Sequence, residues 1–189
     1  MKRYKIEAFE NLVEAFQSLP SIGKKSAIRL AYHLSMVDGF AAMKLAHAIE
    51  TGVNEIQSCS QCHNMSEDEL CAICSDEQRD MSTLCIVQSA KDILTIEESR
   101  EFNGVYYVLS RIEDLNEVHL KNAVKDAEEV IFAFPPSIAT DTMILYIEDK
   151  LEGLGLNFTK IAQGVPTGVE LENIDMVSLS RAMEARVKV

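Results

Sequence analysis

The chain contains no run of 18 apolar residues, no low-complexity tract and no internal repeat. A membrane helix needs about 20 consecutive apolar residues, so no helical membrane span is expected. The opening stretch, Met1-Lys2-Arg3-Tyr4-Lys5-Ile6-Glu7, is basic but leads into no apolar signal core, which points to a cytoplasmic protein. Positive charge is scarce. Eighteen Lys and Arg face 30 Asp and Glu, and a net charge of −12 argues on its face against nucleic acid as a partner. The distribution reverses that argument locally. Residues 1–35 set Lys2, Arg3, Lys5, Lys24, Lys25 and Arg29 against Glu7, Glu10 and Glu14, a balance of +3 that leaves −15 on the remainder. A small basic end can hold phosphates while the acidic body repels them or offers a surface to a basic partner.

Cysteine is also sparse, and four of the five fall in one pattern, Cys59, Cys62, Cys71 and Cys74, spaced C-x2-C-x8-C-x2-C. Each C-x-x-C turn can present two thiolates to one metal ion, and two such turns can close a tetrahedral all-sulfur site of the structural zinc type. The alternative is two unrelated pairs of buried or redox-active cysteines, but a thioredoxin-like site uses a single C-x-x-C beside a βαβ unit. Four thiolates leave no open position on the metal, so a Zn2+ held here is structural. Reduced ligands and an unpaired Cys85 suit a reducing compartment. Cys85 itself lies in an apolar run and reads as a small buried hydrophobe.

The chain is organised in blocks. To about residue 57 it is helical: Leu12, Val13 and Phe16 start an apolar face, Leu19-Pro20-Ser21-Ile22-Gly23 breaks it, and Ala27, Leu30, Ala31 and Leu34 recur at helical spacing. Ala42, Leu45, Ala46, Ile49 and Val53 continue as a third helix. The cysteine block occupies 58–75. Short apolar runs then alternate with helical stretches: strands at 84–87, 105–109, 130–134 and 158–161, helices near 89–101, 114–127 and 139–152. Such alternation predicts an α/β fold with a small, mostly parallel sheet and flanking helices. A Gly/Pro-punctuated loop, 164–168, precedes a last helix over 174–186.

The segment Ser18 to Leu30 predicts helix, tight turn, helix. The second helix opens at Gly23-Lys24-Lys25, with Arg29 four residues beyond Lys25 on the same face. Free N–H groups in a helix's first turn, together with its dipole, attract phosphate. The same residues fit an ordinary α-turn-α connection with solvated lysines. A Walker A loop is excluded, because Ser18 stands where a glycine is required and Lys25 follows Lys24 where Ser or Thr is required.

Taken in order, these pieces resemble the RecR family of bacterial recombination mediators. Leu19-Pro20-Ser21-Ile22-Gly23-Lys24-Lys25 and Arg29-Leu30-Ala31-Tyr32-His33-Leu34 are similar to its helix-hairpin-helix, Cys59 to Cys74 to its zinc finger, and Leu84-Cys85-Ile86-Val87 with Lys91-Asp92-Ile93 to the opening of its Toprim domain. Ile161-Ala162-Gln163-Gly164-Val165-Pro166, Leu171-Glu172 and Leu179-Ser180-Arg181-Ala182 are similar to its Walker-B-like closing segment. The resemblance implies four regions: a helix-hairpin-helix at 1–57, a four-cysteine zinc finger at 58–75, a Toprim domain at 76–163 and the closing segment at 164–189. It implies a non-catalytic, nucleoid-associated scaffold in DNA repair and recombination. Such a scaffold forms dimers or ring-like tetramers, binds single- and double-stranded DNA without sequence preference, and works with RecO and RecF to load recombinase on single-stranded DNA. DNA contact would fall on Gly23, Lys24, Lys25 and Arg29.

The chain departs from the family pattern in three places. Ser21 replaces a usual glycine, the Toprim region is short between Leu109 and Val130, and its acidic residues are thinned. Catalytic Toprim enzymes hold Mg2+ with a Glu after the first strand and an Asp-x-Asp after the third. Here Gln88 occupies the first position, and Ala133-Phe134-Pro135-Pro136-Ser137 carries no carboxylate before Asp141. The rival readings are a degenerate Toprim enzyme, with Asp92 or Asp141 on a metal, and an interaction adaptor with little DNA binding of its own. His33 and His47 read as packing or surface residues. Glu170, Glu172 and Asp175 read as a solvated cluster, with partner or metal binding as the alternative.

Overall fold

The structure, a computed structural model, describes residues 5–162, 164–165 and 168–186. Lys2 and Arg3 at the basic start, and Gln163, Pro166 and Thr167 in the closing loop, lie outside the described residues. The chain divides into two compact units, Met1–Ile56 and Gln57–Val189.

The first unit is helical, with α1 at Glu7–Gln17, α2 at Lys24–Tyr32 and α3 at Gly39–Glu55. Phe9, Leu12, Val13 and Phe16 pack against Ala27 and Ala31 of α2. Both alanines are fully enclosed, and side chains that end at Cβ let the two helices lie close together. The turn between them puts Ser21 in the left-handed region at φ 65°. That conformation costs a non-glycine residue on the order of 1 kcal/mol. The helical spacing runs through Leu34, but α2 ends at Tyr32 and widens into a π-helical turn over His33–Val37. Ser35 Oγ donates to the Ala31 carbonyl at 2.7 Å, engaging an acceptor of the regular helical ladder. Asp38 then caps α3 by accepting the Ala41 N–H at 2.8 Å.

The second unit opens with a two-stranded antiparallel ribbon inside the cysteine block, β1 (Gln57–Ser58) and β2 (Met65–Ser66), which no periodicity announced. Its body is a parallel sheet of β3 (Asp80–Val87), β4 (Gly104–Val108), β5 (Glu129–Ala133) and β6 (Asn157–Lys160), in the order β4-β3-β5-β6. The crossover helices are α4 (Ala90–Ser99), α5 (Glu117–Ala123) and α6 (Ile138–Lys150). α5 is shorter than its apolar pattern suggested. Asn116 caps it by accepting the His119 N–H, and a separate 3-10 turn at Ile112–Asp114 precedes it, held by the Arg111–Asp114 pair.

Alternation along β3 sorts the core. Leu84 and Ile86 join Tyr107, Val130 and Phe132 on one face, covered by Leu120 of α5 and by Met143 and Ile147 of α6. Cys85, Val87, Tyr106 and Ala133 point the other way, toward Ile93 of α4. Burial pushes the Cys85 thiol up to about 12, so it behaves as the apolar residue its position implied. Gly104, opposite a register shift in β3, is required by space. A Cβ there would sit 2.4 Å from the Thr83 carbonyl oxygen. The final helix, α7, runs Met176–Glu184, two residues inside its expected start, because Asp175 caps it by accepting the Val177 and Ser178 N–H groups.

Arg79, between the cysteine block and β3, ties the segment leading into the sheet to α4 and β4. Its guanidinium makes a two-pronged pair with the Glu97 carboxylate of α4, and it also donates to the Gly104 carbonyl at 3.3 Å. Tyr106 donates its hydroxyl to the same carboxylate at 2.6 Å. The hydrogen bonds from Arg79, outweighing burial, hold the Glu97 carboxyl below the usual carboxylate range. A depressed folded value means that the pair stabilises the fold above the unfolded pKa and is lost as pH falls through the folded one. Glu97→Gln should therefore cost on the order of 1 kcal/mol near neutral pH, with the gap to wild type closing below about pH 4, as read by urea unfolding at both pH values.

Candidate zinc centre and nucleic-acid interface

The two C-x-x-C turns are built by the same local device. After the first, His63 N–H donates to the Cys59 carbonyl at 3.0 Å; after the second, Ser75 N–H donates to the Cys71 carbonyl at 3.0 Å. His63 leaves the first turn in the left-handed region, φ 62°. Cys59 N–H donates to the Asn64 carbonyl and Ser60 N–H to the Glu69 carbonyl, which folds the connecting segment back over the first turn.

The result brings all four predicted ligands together. Their sulfurs lie within 4.8 Å of one another, and Cys62 Sγ and Cys71 Sγ are 3.6 Å apart. Zinc–sulfur bonds of about 2.3 Å place tetrahedral sulfurs about 3.8 Å apart, so the cluster has the size of an all-sulfur zinc site. Backbone amides aim at the sulfurs: Cys71 N–H at Cys59 Sγ (3.3 Å) and Asn64 N–H at Cys62 Sγ (3.5 Å). Burial pushes the Cys59 thiol up, but backbone hydrogen bonds from Cys71, Cys62 and Gln61 outweigh it and bring it down to about 7. The hydrogen bond with Cys74, then burial, pushes Cys62 the other way, and burial raises Cys71. Four sulfurs this close cannot all ionise alone. A divalent ion removes the conflict, so the donor set fits one structural zinc.

The finger is fastened to the sheet at three points. Val108 N–H, at the end of β4, donates to the Cys62 carbonyl at 2.9 Å. His119 Nε2 lies 2.8 Å from the Ser60 carbonyl oxygen. Ile73, between the second pair of cysteines, packs against both the sulfur cluster and the α4 side of the sheet. Sequence reasoning missed His119, Tyr107, Arg79 and Glu97, for which no local pattern exists.

On the helical unit, α2 begins at Gly23 with no side-chain cap, and a Cβ at Gly23 would meet nothing within 4 Å. Its φ of −81° suits any residue, so neither torsion nor packing requires glycine there. Lys24, Lys25 and Arg29 are all exposed, and none forms an ion pair among the described residues. Open N–H groups, open space and the uncommitted Lys24 and Lys25 thus share the start of the helix, with Arg29 in its last turn.

The carboxylates behave differently. Asp92 is engaged in the capping box of α4, accepting the Ser89 N–H at 2.9 Å. Asp141 is exposed in the first turn of α6, in a cleft of about 360 Å3 that Lys160 and Glu148 also line. Asp175 serves as the cap of α7 and does not gather with Glu170 and Glu172 into a metal-sized group. His33 and His47 are exposed. Among the described residues, the cysteines are the one group of three or more potential ligands spaced for a metal, and no helix is long and apolar enough to cross a membrane.

Because the finger buries little beyond its sulfurs, zinc supplies its stability, typically about 10–16 kcal/mol of metal-coupled folding for such sites. Cys62→Ser should leave the protein below one zinc per chain after dialysis against chelator. Hydrogen exchange should show protection lost across residues 57–78 while β3 and β5 stay protected.

The same parts are recognised by comparison with known proteins. Residues 9–53 match the RecR helix-hairpin-helix, 56–76 the RecR four-cysteine zinc finger domain, 82–162 the Toprim domain and 164–187 the RecR C-terminal model. "Recombination protein RecR" of a Nitratiruptor species is 56% identical over 187 residues, covering 98% of each chain. The protein of that name from Campylobacter jejuni subsp. jejuni is 52% identical over 97% of this chain and 98% of its own. The one from Helicobacter pylori is 48% identical over the whole of both. A four-cysteine cluster of zinc dimensions docked on a Toprim sheet, with a helix-hairpin-helix before it and full-length identity near one half, places this chain in the RecR family.

Proposed function

We propose that the protein is a non-catalytic DNA-binding scaffold of recombinational repair, acting in the cytoplasm at the nucleoid with RecO and RecF to load recombinase on single-stranded DNA. The observation that carries the reading is the bare start of α2. Gly23 leaves the first-turn N–H groups open, and Lys24, Lys25 and Arg29 add three cations with no internal ion-pair partner among the described residues. Such a site holds phosphates and reads no bases, which suits sequence-independent binding of single and double strands. The finger is a poor rival for this contact. Between residues 56 and 78 it has no Lys or Arg and five carboxylates, Glu67, Asp68, Glu69, Asp76 and Glu77, to which the zinc thiolates add further negative charge.

Several features support a scaffold over an enzyme. Where catalytic Toprim domains place carboxylates, this chain has the amide of Gln88 and the Pro135-Pro136 segment. Asp92 is committed to a helix cap, and Asp141 sits beside Lys160. A neutral amide and one displaced carboxylate make a weak cradle for a hard divalent cation. The adaptor reading draws on the acidity of the second unit, which suits a basic partner such as RecO and is compatible with DNA held by the hairpin.

Three cations per chain are few, so affinity requires several chains on one DNA. The helical unit supports self-association into dimers or ring-like tetramers. α3 buries no residue of its own, and Phe40, Met43, Ile49 and Val53 are all exposed. A helix with this much uncovered apolar surface calls for a partner, and a second copy of the chain is the occupant.

Lys25→Glu combined with Arg29→Glu should abolish DNA retention in filter binding while zinc content stays at one per chain. Wild-type binding should weaken with salt at a log–log slope of about −2 to −3 per engaged chain. DNA incubated with protein and magnesium should stay intact. Unchanged retention by the double variant would remove the hairpin from DNA contact, and nicking abolished by Asp141→Asn would restore the enzyme reading. Phe40→Glu with Val53→Glu should shift the sedimentation coefficient toward that of a single chain.

A further inference from the structure

We propose that His119, which is not a zinc ligand, is the positioning residue of the zinc finger, and that it works through a proton held on Nε2. The assignment follows from its two partners. Nε2 lies 2.8 Å from the backbone carbonyl oxygen of Ser60, a group that can only accept, so Nε2 carries the proton. The other ring nitrogen, Nδ1, faces the Tyr107 hydroxyl, with Oη 3.2 Å away in hydrogen-bond range. Tyr107 is almost fully buried in β4, and its hydroxyl has this ring as its hydrogen-bond partner.

The chain of contacts therefore runs from the sheet to the metal turn: Tyr107 hydroxyl, His119 ring, Ser60 carbonyl. Ser60 lies between Cys59 and Cys62, so whatever fixes its peptide fixes the orientation of both first-turn sulfurs. A second contact guides the ring from the side. His63, which follows Cys62 and is held at a left-handed φ, stacks on His119 with centroids 4.6 Å apart and an interplanar angle of 28°, and meets the Tyr107 ring edge-on at 5.3 Å. The neighbouring Val108 N–H holds the Cys62 carbonyl, so adjacent residues of β4 govern both ends of the turn. Outer-shell partners of this kind commonly change metal retention by about 10–100-fold.

Two measurements on the zinc-loaded full chain test this. Long-range 15N–1H correlation spectra of the imidazoles should show a proton fixed on His119 Nε2. The other tautomer, or an average of the two, would overturn the proposal without any variant. Zinc release into excess chelator, followed with a zinc-sensitive dye, should run roughly tenfold faster in His119→Phe, which keeps the stack on His63 but has neither nitrogen. His119→Gln restores a donor at the position of Nε2 and should return release to within about threefold of wild type. Release by folded His119→Phe at the wild-type rate would overturn the proposal, as would equal acceleration in Phe and Gln variants, the result expected of a merely structural side chain.

Discussion

Residues 57–78 have almost nothing to bury. Their enclosed side chains are three of the four cysteines and Asn64, with Ile73 and Cys74 half-covered, while five carboxylates face outward. A segment of this composition cannot offset the conformational entropy of ordering its backbone by apolar burial alone. The sulfur cluster supplies what burial does not, and the rest of the second unit is arranged around that fact. The ribbon β1–β2 brackets the first turn, the Cys59 and Ser60 amides of that turn donate to the Asn64 and Glu69 carbonyls, and the N–H at the end of β4 is satisfied by a cysteine carbonyl. Zinc thus does more than close a loop. It creates the rigid object on which an end of the parallel sheet terminates.

The sheet has been built for stiffness at the place where related architectures hold metal. β4 and β5 are followed at once by buried Leu109 and Phe134, the latter leading into two prolines, and the first crossover helix opens on a capping box that uses the local carboxylate internally. A carboxylate that caps a helix is held in place by its hydrogen bond and is poorly placed to rotate toward an ion. The carboxylate at this end of the sheet is thus committed to local order, an arrangement consistent with the proposed scaffold.

Much of this was legible in the sequence because it is coded locally. The C-x2-C spacing needs only two tight turns to bring thiolates together, and the i, i+4 pair Ala27 and Ala31 marks the helix face that α1 covers. The strands show as short apolar runs, and Ser21 stood out through the resemblance, as a serine where the family has a glycine. What stayed hidden depends on closure across the fold. Arg79 and Glu97 are 18 residues apart, and His119 reaches a carbonyl 59 residues away. Nothing in the sequence around a histidine on a short helix signals its partner. The π-helical turn was hidden for a different reason: the apolar pattern through Leu34 is compatible with a regular helix, and a single serine hydroxyl accompanies the change.

The charge economy follows from the same division of labour. A chain of −12 that must sit on phosphates cannot use a broad basic face without neutralising the acidic surface suited to a basic partner. It can use a site where part of the attraction comes from groups that carry no formal charge. The open amides at the start of α2 are such groups, and their dipole adds to Lys24 and Lys25 in the same turn, with Arg29 further along the helix. The turn that exposes them places its strain at Ser21, not at Gly23, which leaves Gly23 free of any conformational duty. In the proposed contact its missing side chain has an external use: a phosphate oxygen could approach the backbone without meeting a Cβ. A larger residue at 23 would meet neither a clash nor a forbidden torsion, so on the proposed reading its cost would fall on the phosphate contact and not on the fold.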